Sequence, residues 1–234
     1  MITLSIKAVF DPVCPWCYVG ALRLTRAIDV YRKTVGANDI INIVWHSYQI
    51  DPDAVAQPLV EKMASRFGRE HLSRMQEQLL DMGKRDGIKF SFESTVGNTQ
   101  NAHRLLQLAK MKKGSEMEQL STRLVLEIMR MYFEQGGDIT SIRDLGLAAE
   151  RAGIDRSEAI AWLIDGRGTD EVCGEVEEAQ RMGIRGVPWY GFNGRAVVNG
   201  AVEESVFLNN LILAREDALK AVTSSSTISL NCQG

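Results

Sequence analysis

The 234-residue sequence predicts an α/β fold carrying a large all-helical insertion. Three observations support this: strand-like runs rich in β-branched residues lie near both ends of the chain and are nearly missing from its middle; a Cys-Pro-Trp-Cys sequence separates the first such run from a helical pattern; and an Asn-Gly pair late in the chain joins two short apolar runs. With 45% hydrophobic and 24% charged residues, the composition is that of an ordinary globular chain with enough apolar surface for a full core. The net charge of -3, with no basic stripe, argues against nucleic acid as a partner. No apolar run approaches membrane-spanning length and no basic, apolar leader pattern stands at the Met1 end, so a cytoplasmic setting without a membrane partner is expected.

Residues 2–10 read as the first strand, and a helical pattern then runs to Gly36. Residues 40–50, rich in Ile, Val, Trp and Tyr and closed by Asp51-Pro52-Asp53, read as a buried central strand. Together the three form a βαβ unit whose right-handed crossover makes the strands parallel. From about residue 57 to 165 the patterns are helical, broken at glycines; Gly136-Gly137 stops one helix, and Asp155 caps another with Glu158 three residues on. Residues 169–182 form an acidic-to-basic helix that Gly183 can close. A hairpin follows around Asn193-Gly194, and then a last helix over about 203–221 with Phe207, Leu211, Ala214 and Ala218 as its apolar face. Residues 1–55 and 167–222 are thus expected to form one discontinuous domain, 56–166 the insertion, and 223–234 a flexible tail that includes Cys232.

Two thiols three apart at the start of a helix form a redox motif. With Cys14 as N-cap, Pro15 falls at the first helical position, and the free N–H groups of the first turn face the Cys14 sulfur and favour its thiolate. Cys17 begins the stripe Gly20, Ala21, Leu24, Ala27, Ile28, Tyr31 and Val35, with Arg23 and Arg26 lying off it. Cys17 is therefore expected to be buried with a high pKa, and Cys14 exposed and reactive: resolving thiol and nucleophile respectively. A zinc site would need a second cysteine pair or spaced histidines, whereas Cys173, Cys232, His46, His71 and His103 are scattered, so no metal is expected. A lasting structural disulfide is rare in the cytosol. Cys173 reads as a small buried hydrophobe.

Asp11-Pro12-Val13-Cys14-Pro15-Trp16-Cys17-Tyr18-Val19-Gly20, Asn98-Thr99-Gln100-Asn101-Ala102-His103-Arg104 and Gly183-Ile184-Arg185-Gly186-Val187-Pro188, in that order, resemble the DsbA-like branch of the thioredoxin superfamily, and within it the FrnE-like group. The resemblance spans the chain to about residue 220 and implies a thioredoxin-like fold around the helical insertion. It also implies that Val187-Pro188 is cis and packs beside Cys14, where the freed Val187 backbone can pair with substrate; on the residues alone Pro188 could equally open an edge strand. The family's helical motif places His103 and Arg104 at the cleft, against the alternative of a solvated helix face. Trp16 can offer substrate an aromatic platform, and Tyr18 can do so or pack under the insertion. Asp11 is either a proton relay to Cys17 or a turn residue. Met63, Met75, Met82, Met111, Met117, Met129 and Met131 are either an adaptable binding wall or helical core filler.

The chemistry expected is thiol-disulfide exchange through a mixed disulfide, with no tightly bound cofactor and with protein or small-molecule thiols and disulfides as partners; a homodimer is compatible with it. The alternative is a glutathione-dependent small-molecule isomerase or transferase in polyketide or aromatic metabolism, since the fold also resembles the 2-hydroxychromene-2-carboxylate isomerases and kappa-class glutathione transferases. Those relatives generally carry serine where Cys14 stands. A chaperone that holds unfolded chains on the insertion is a third class, and its activity would survive loss of both thiols.

Overall fold

The computed structural model describes the backbone of residues 1–112 and 117–230, and the side chains of these except 117, 118, 196 and 222–230. Cys232 lies outside the described residues, and Met117 outside the described side chains. Strand β1 (Thr3–Phe10), helix α1 (Pro15–Thr34) and strand β2 (Ile40–Ser47) form the expected unit, with β1 and β2 parallel from Thr3 opposite Ile40 to Phe10 opposite Ser47. Strands β3 (Gln57–Pro58) and β4 (Thr95–Val96) make a small separate pair. Around them lie helices α2 (Leu59–Phe67), α3 (Arg69–Asp86), α4 (Gln100–Met111), α5 (Met117–Glu134), α6 (Ile142–Ala152) and α7 (Arg156–Ile164). Helix α8 (Thr169–Arg181), strands β5 (Trp189–Phe192) and β6 (Ala196–Asn199) and helix α9 (Glu204–Leu230) complete the chain.

The main sheet has the order β2-β1-β5-β6, with β5 antiparallel to β1 and to β6. β2 is therefore an edge strand and not the central one expected. β1 fills the central place, since β5 pairs along its other side, and Leu4, Ile6, Ala8, Val9 and Phe10 are all buried. β2 buries Ile41 and Trp45 while Ile40 and Val44 stay exposed, as an edge strand allows. The β5–β6 hairpin turns at Asn193 and Gly194, both at positive φ, and Asn193 exchanges hydrogen bonds with Ser5 of β1, which fixes the hairpin on the sheet.

Local signals act where the sequence puts them. The Asp155 carboxylate accepts from the Glu158 N–H at 2.8 Å, and the Ser141 hydroxyl caps α6. Gly183, at positive φ, follows α8, and its N–H donates to the Gln180 carbonyl. α9 buries Phe207, Leu211 and Ala214 against α1 and the sheet, and its backbone stays helical to Leu230, beyond the expected start of the tail.

Arg23 departs from the expected stripe. It lies off the most apolar face of α1 yet is buried, because its guanidinium grips both Asp86 oxygens at 2.8 and 2.9 Å and donates to the carbonyls of Ala201 and Val202. Arg26 adds a third bond to Asp86 at 2.7 Å. This cluster ties α1 to the end of α3 and to the segment before α9, so the insertion is held directly against α1.

Candidate active site

Cys14 is the N-cap of α1, with Pro15 inside the first turn and no acidic residue there to compete for the free N–H groups. The Cys14 carbonyl accepts from Cys17 at 3.0 Å and Tyr18 at 3.3 Å, and the Cys14 N–H closes a turn to the Asp11 carbonyl at 3.0 Å. Its sulfur lies 3.7 Å from the Val187 carbonyl oxygen, a thiol-to-carbonyl contact. The expected exposure is not found. Cys14 is only 6% exposed: the Val187 carbonyl lies against its sulfur, it lines the adjoining cavity, and Trp16, 52% exposed, occupies the tip. Cys17 is fully buried, as its place on the stripe predicts.

The two thiols are both free and are electrostatically unlike. Cys14 is held below its ordinary pKa first by a hydrogen bond from the Cys17 thiol and then by the N–H groups of Cys17 and Trp16, against burial and the Asp11 charge. The helix end thus contributes, but the neighbouring thiol contributes more than either first-turn amide alone. Burial, first, and the bond to Cys14, second, push Cys17 well above its ordinary value.

Asp11 is buried between the start of α1 and the insertion. Its carboxylate accepts from the Ile50 N–H at 2.7 Å and the Val13 N–H at 3.5 Å, with the Thr99 side chain beside it, yet burial prevails and raises it to about 7. His103 Nε2 lies 3.9 Å from Asp11 but contacts the Tyr48 carbonyl oxygen at 2.9 Å. Burial lowers His103 to about 4, so it is neutral at pH 7 and gives Asp11 no counter-charge.

The Val187-Pro188 bond is cis, and Pro188 reaches the Cys17 side of α1: a Cβ built on Gly20 would lie 3.4 Å from its Cγ. Beside Cys14 opens a cavity of about 810 Å³, with Asp11, Thr99, Trp16 and Tyr132 among its lining. Apolar side chains form most of the wall, including Met63, Met75 and Met82 from α2 and α3, while Arg23, Lys62, Arg66 and Arg85 supply cations and Asp51, Asp81 and Glu203, with Asp11, supply carboxylates. Met129 and Met131 instead fill the core, whereas Met111 is exposed and serves neither of the two roles considered for the methionines.

His103 and Arg104 do not line this cavity. His103 is sealed edge-on against Phe10 and under Tyr48. Arg104 is buried and donates to the carbonyls of Trp162, Leu163 and Arg167, so it closes the end of α7 onto α4. Tyr18 packs under the insertion, stacked on Phe133 with its hydroxyl on Glu134. Cys173 is exposed, not buried, since Val172 takes the inward position on α8. Thr99, Phe90, Phe92, Tyr132, Lys62, Arg66 and Arg85 were not identified as lining residues from the sequence; they come from α2, α3, α5 and the connections on either side of β4, and only the methionine-rich helical pattern pointed towards them.

Among the described residues no helix is long and apolar enough to cross a membrane, and no group of three or more His, Cys, Asp or Glu is placed to hold a metal ion. No curated protein matches the sequence. The chain is similar to a probable DsbA oxidoreductase from Streptomyces coelicolor, at 26% identity, TM-score 0.76 and coverage of 91% of this chain and 90% of that one. It also resembles 2-hydroxychromene-2-carboxylate isomerase, at 16% identity and TM-score 0.65 over 95% of this chain and 99% of that one. The cytosolic disulfide reductase DsbM from Pseudomonas aeruginosa matches at 17% identity and TM-score 0.59 over 94% and 98%, and has also been solved with GSH. A DsbA-like thioredoxin domain matches residues 5–211, and the chain belongs to that family.

Proposed function

We propose that the protein is a thiol-disulfide oxidoreductase in which Cys14 is the nucleophile and Cys17 the resolving thiol. The observation that carries this reading is the placement of the thiols: Cys14 caps α1 and Cys17, in its first turn, is fully buried, so the neighbouring thiol and the first-turn amides hold Cys14 below its ordinary pKa while burial holds Cys17 above its own. The Cys14 thiolate attacks a substrate disulfide, forming a mixed disulfide and releasing one substrate thiolate, which takes up a proton. Cys17 then loses its proton, attacks the Cys14 sulfur and releases the second substrate thiolate, leaving the enzyme oxidised and the substrate reduced by two electrons. Run backwards, the same steps oxidise a substrate dithiol. Asp11, raised to about 7, can accept the Cys17 proton near neutral pH and return it. The Val187 carbonyl, beside Cys14, and the exposed Trp16 indole are the groups that an extended substrate meets first.

Insulin reduction by dithiothreitol tests the reading. The Cys17→Ser protein is expected to accumulate a reducible Cys14 adduct with one insulin chain, visible by intact mass, and to turn over about a hundredfold more slowly. Undiminished turnover without an adduct would exclude the proposed two-thiol cycle.

A second reading draws on the 810 Å³ cavity, a volume suited to a small molecule, and on the isomerase of the same fold. Under it glutathione is the co-substrate and Cys17 is dispensable. Glutathione-dependent turnover of an aromatic substrate by Cys17→Ser at the wild-type rate would favour this reading.

A further inference from the structure

Tyr190, in β5 two residues after Pro188, is buried with its ring edge-on to Phe207 at 4.9 Å. Its hydroxyl is enclosed and has no hydrogen-bond partner. Phenylalanine would fill the same space without burying an unpaired donor, so the hydroxyl lowers stability unless another state of the protein uses it.

The facing helix also accommodates it. A Cβ on Gly20 would lie 2.5 Å from the Tyr190 hydroxyl oxygen, closer than real Cβ contacts come, whereas the tyrosine Cζ and the Pro188 Cγ would lie at an ordinary 3.4 Å. The hydroxyl alone therefore excludes alanine from this position, and glycine within a helix is weaker than alanine. Gly20 is one helical turn after Cys17 on the same face of α1. Both cysteine charges act on Tyr190, Cys17 more than Cys14.

Cys17 is fully buried and has no nearby cation among the groups that act on it. The charges that act on it most strongly are Cys14 and Asp11, both negative when ionised; hydrogen bonding from the Asp11 backbone lowers it, and α9 contributes the Phe207 ring behind Tyr190. With both thiols free, the tyrosine hydroxyl makes no hydrogen bond to Cys17 or to any other described group. In both directions of exchange Cys17 becomes a thiolate, either by losing its proton before attack on the mixed disulfide or as the group expelled when a substrate thiolate opens the Cys14–Cys17 disulfide.

We propose that Tyr190 is a positioning residue for Cys17, whose hydroxyl turns to the Cys17 sulfur and stabilises it while it carries negative charge. The inference rests on the two-thiol reading above. It predicts that Tyr190→Phe impairs the step made by Cys17 and spares the step made by Cys14.

The test uses reduced protein carrying Cys173→Ala and Cys232→Ala and reacting with 5,5′-dithiobis(2-nitrobenzoate) in stopped flow. One thionitrobenzoate is released as Cys14 forms the mixed disulfide, and a second as Cys17 displaces the one left on Cys14. Tyr190→Phe is expected to slow the second release about tenfold relative to the first, as loss of a hydrogen bond to a charged group implies, and to move its pH midpoint about one unit higher. Because Asp11 is present in both proteins, the difference between their profiles reports the tyrosine. Gly20→Ala gives an independent reading: it should lower the melting temperature when Tyr190 is intact, and be neutral or stabilising in the Tyr190→Phe background. An unchanged ratio and midpoint in Tyr190→Phe would overturn the proposal, even where stability alone changes. A wild-type protein that never gives the second release would instead refute the two-thiol cycle itself.

Discussion

Replacing Asp11 with asparagine is expected to make the protein more resistant to unfolding, and increasingly so as the pH rises from 5 to 8. Burial raises the Asp11 carboxyl from 3.8 to about 7, so the folded state binds its proton more tightly than the unfolded chain does. The stability tied to that proton is complete below pH 3.8 and is lost as the pH climbs through about 7. At ~1.36 kcal/mol per pH unit, the ionised carboxylate costs about 4 kcal/mol above the folded midpoint, and about 2.5 kcal/mol of this accrues between pH 5 and pH 8. Asparagine keeps an oxygen to accept the Ile50 N–H and removes the charge. Urea unfolding of the reduced proteins at both pH values measures the difference. The wild type should lose about 2.5 kcal/mol more than Asp11→Asn across that interval. Parallel losses would show that Asp11 is not a buried acid with a raised midpoint, and would remove it as proton acceptor for Cys17.

Two further substitutions probe the frame around the thiols. Arg23→Ala leaves Asp86 buried with Arg26 as its remaining guanidinium partner, and a loss of about 3 kcal/mol in urea unfolding is expected; a loss below about 1 kcal/mol would show that the junction is not held there. Arg104→Ala strands the carbonyls of Trp162, Leu163 and Arg167 and should cost about 2–3 kcal/mol while leaving the alkylation rate of Cys14 in folded protein unchanged. A Cys14 rate that fell with stability intact would return Arg104 to the cleft.

What could be read in the sequence was what short-range chemistry encodes. The Asn193-Gly194 hairpin, the Asp155 cap, the parallel β1–β2 unit and the burial of Cys17 each follow from residues within one turn or one crossover of each other. Misreadings arose where a distant segment decides the environment. β2 looked central because its composition is that of a buried strand, and the pairing that puts β1 in the middle comes from β5, about 140 residues later. Arg23 lies off the apolar stripe of α1, and nothing local marks it for burial because Asp86, which buries it, lies 63 residues away. Cys14 looked exposed from its place at the helix tip, although the resemblance already placed Val187-Pro188 beside it; the contact at Val187, 173 residues away, outweighs the local position. His103 and Arg104 sit in a motif that the family places near the cleft, but the carbonyls they meet, at Tyr48 and at the end of α7, make them supports of the insertion in this chain. The cavity wall is the extreme case, assembled from separate helices with no shared spacing.

The central claim is that Cys14 is an activated nucleophile paired with Cys17. Its most direct measurement is the pH dependence of Cys14 alkylation by iodoacetamide, followed by mass in Cys173→Ala/Cys232→Ala protein with and without Cys17→Ala. The account predicts a midpoint clearly below the ~8.5 of a free cysteine, and a rise when Cys17 is removed, since the Cys17 thiol contributes the largest lowering. A midpoint at or above ~8.5, or one indifferent to the loss of Cys17, would contradict it.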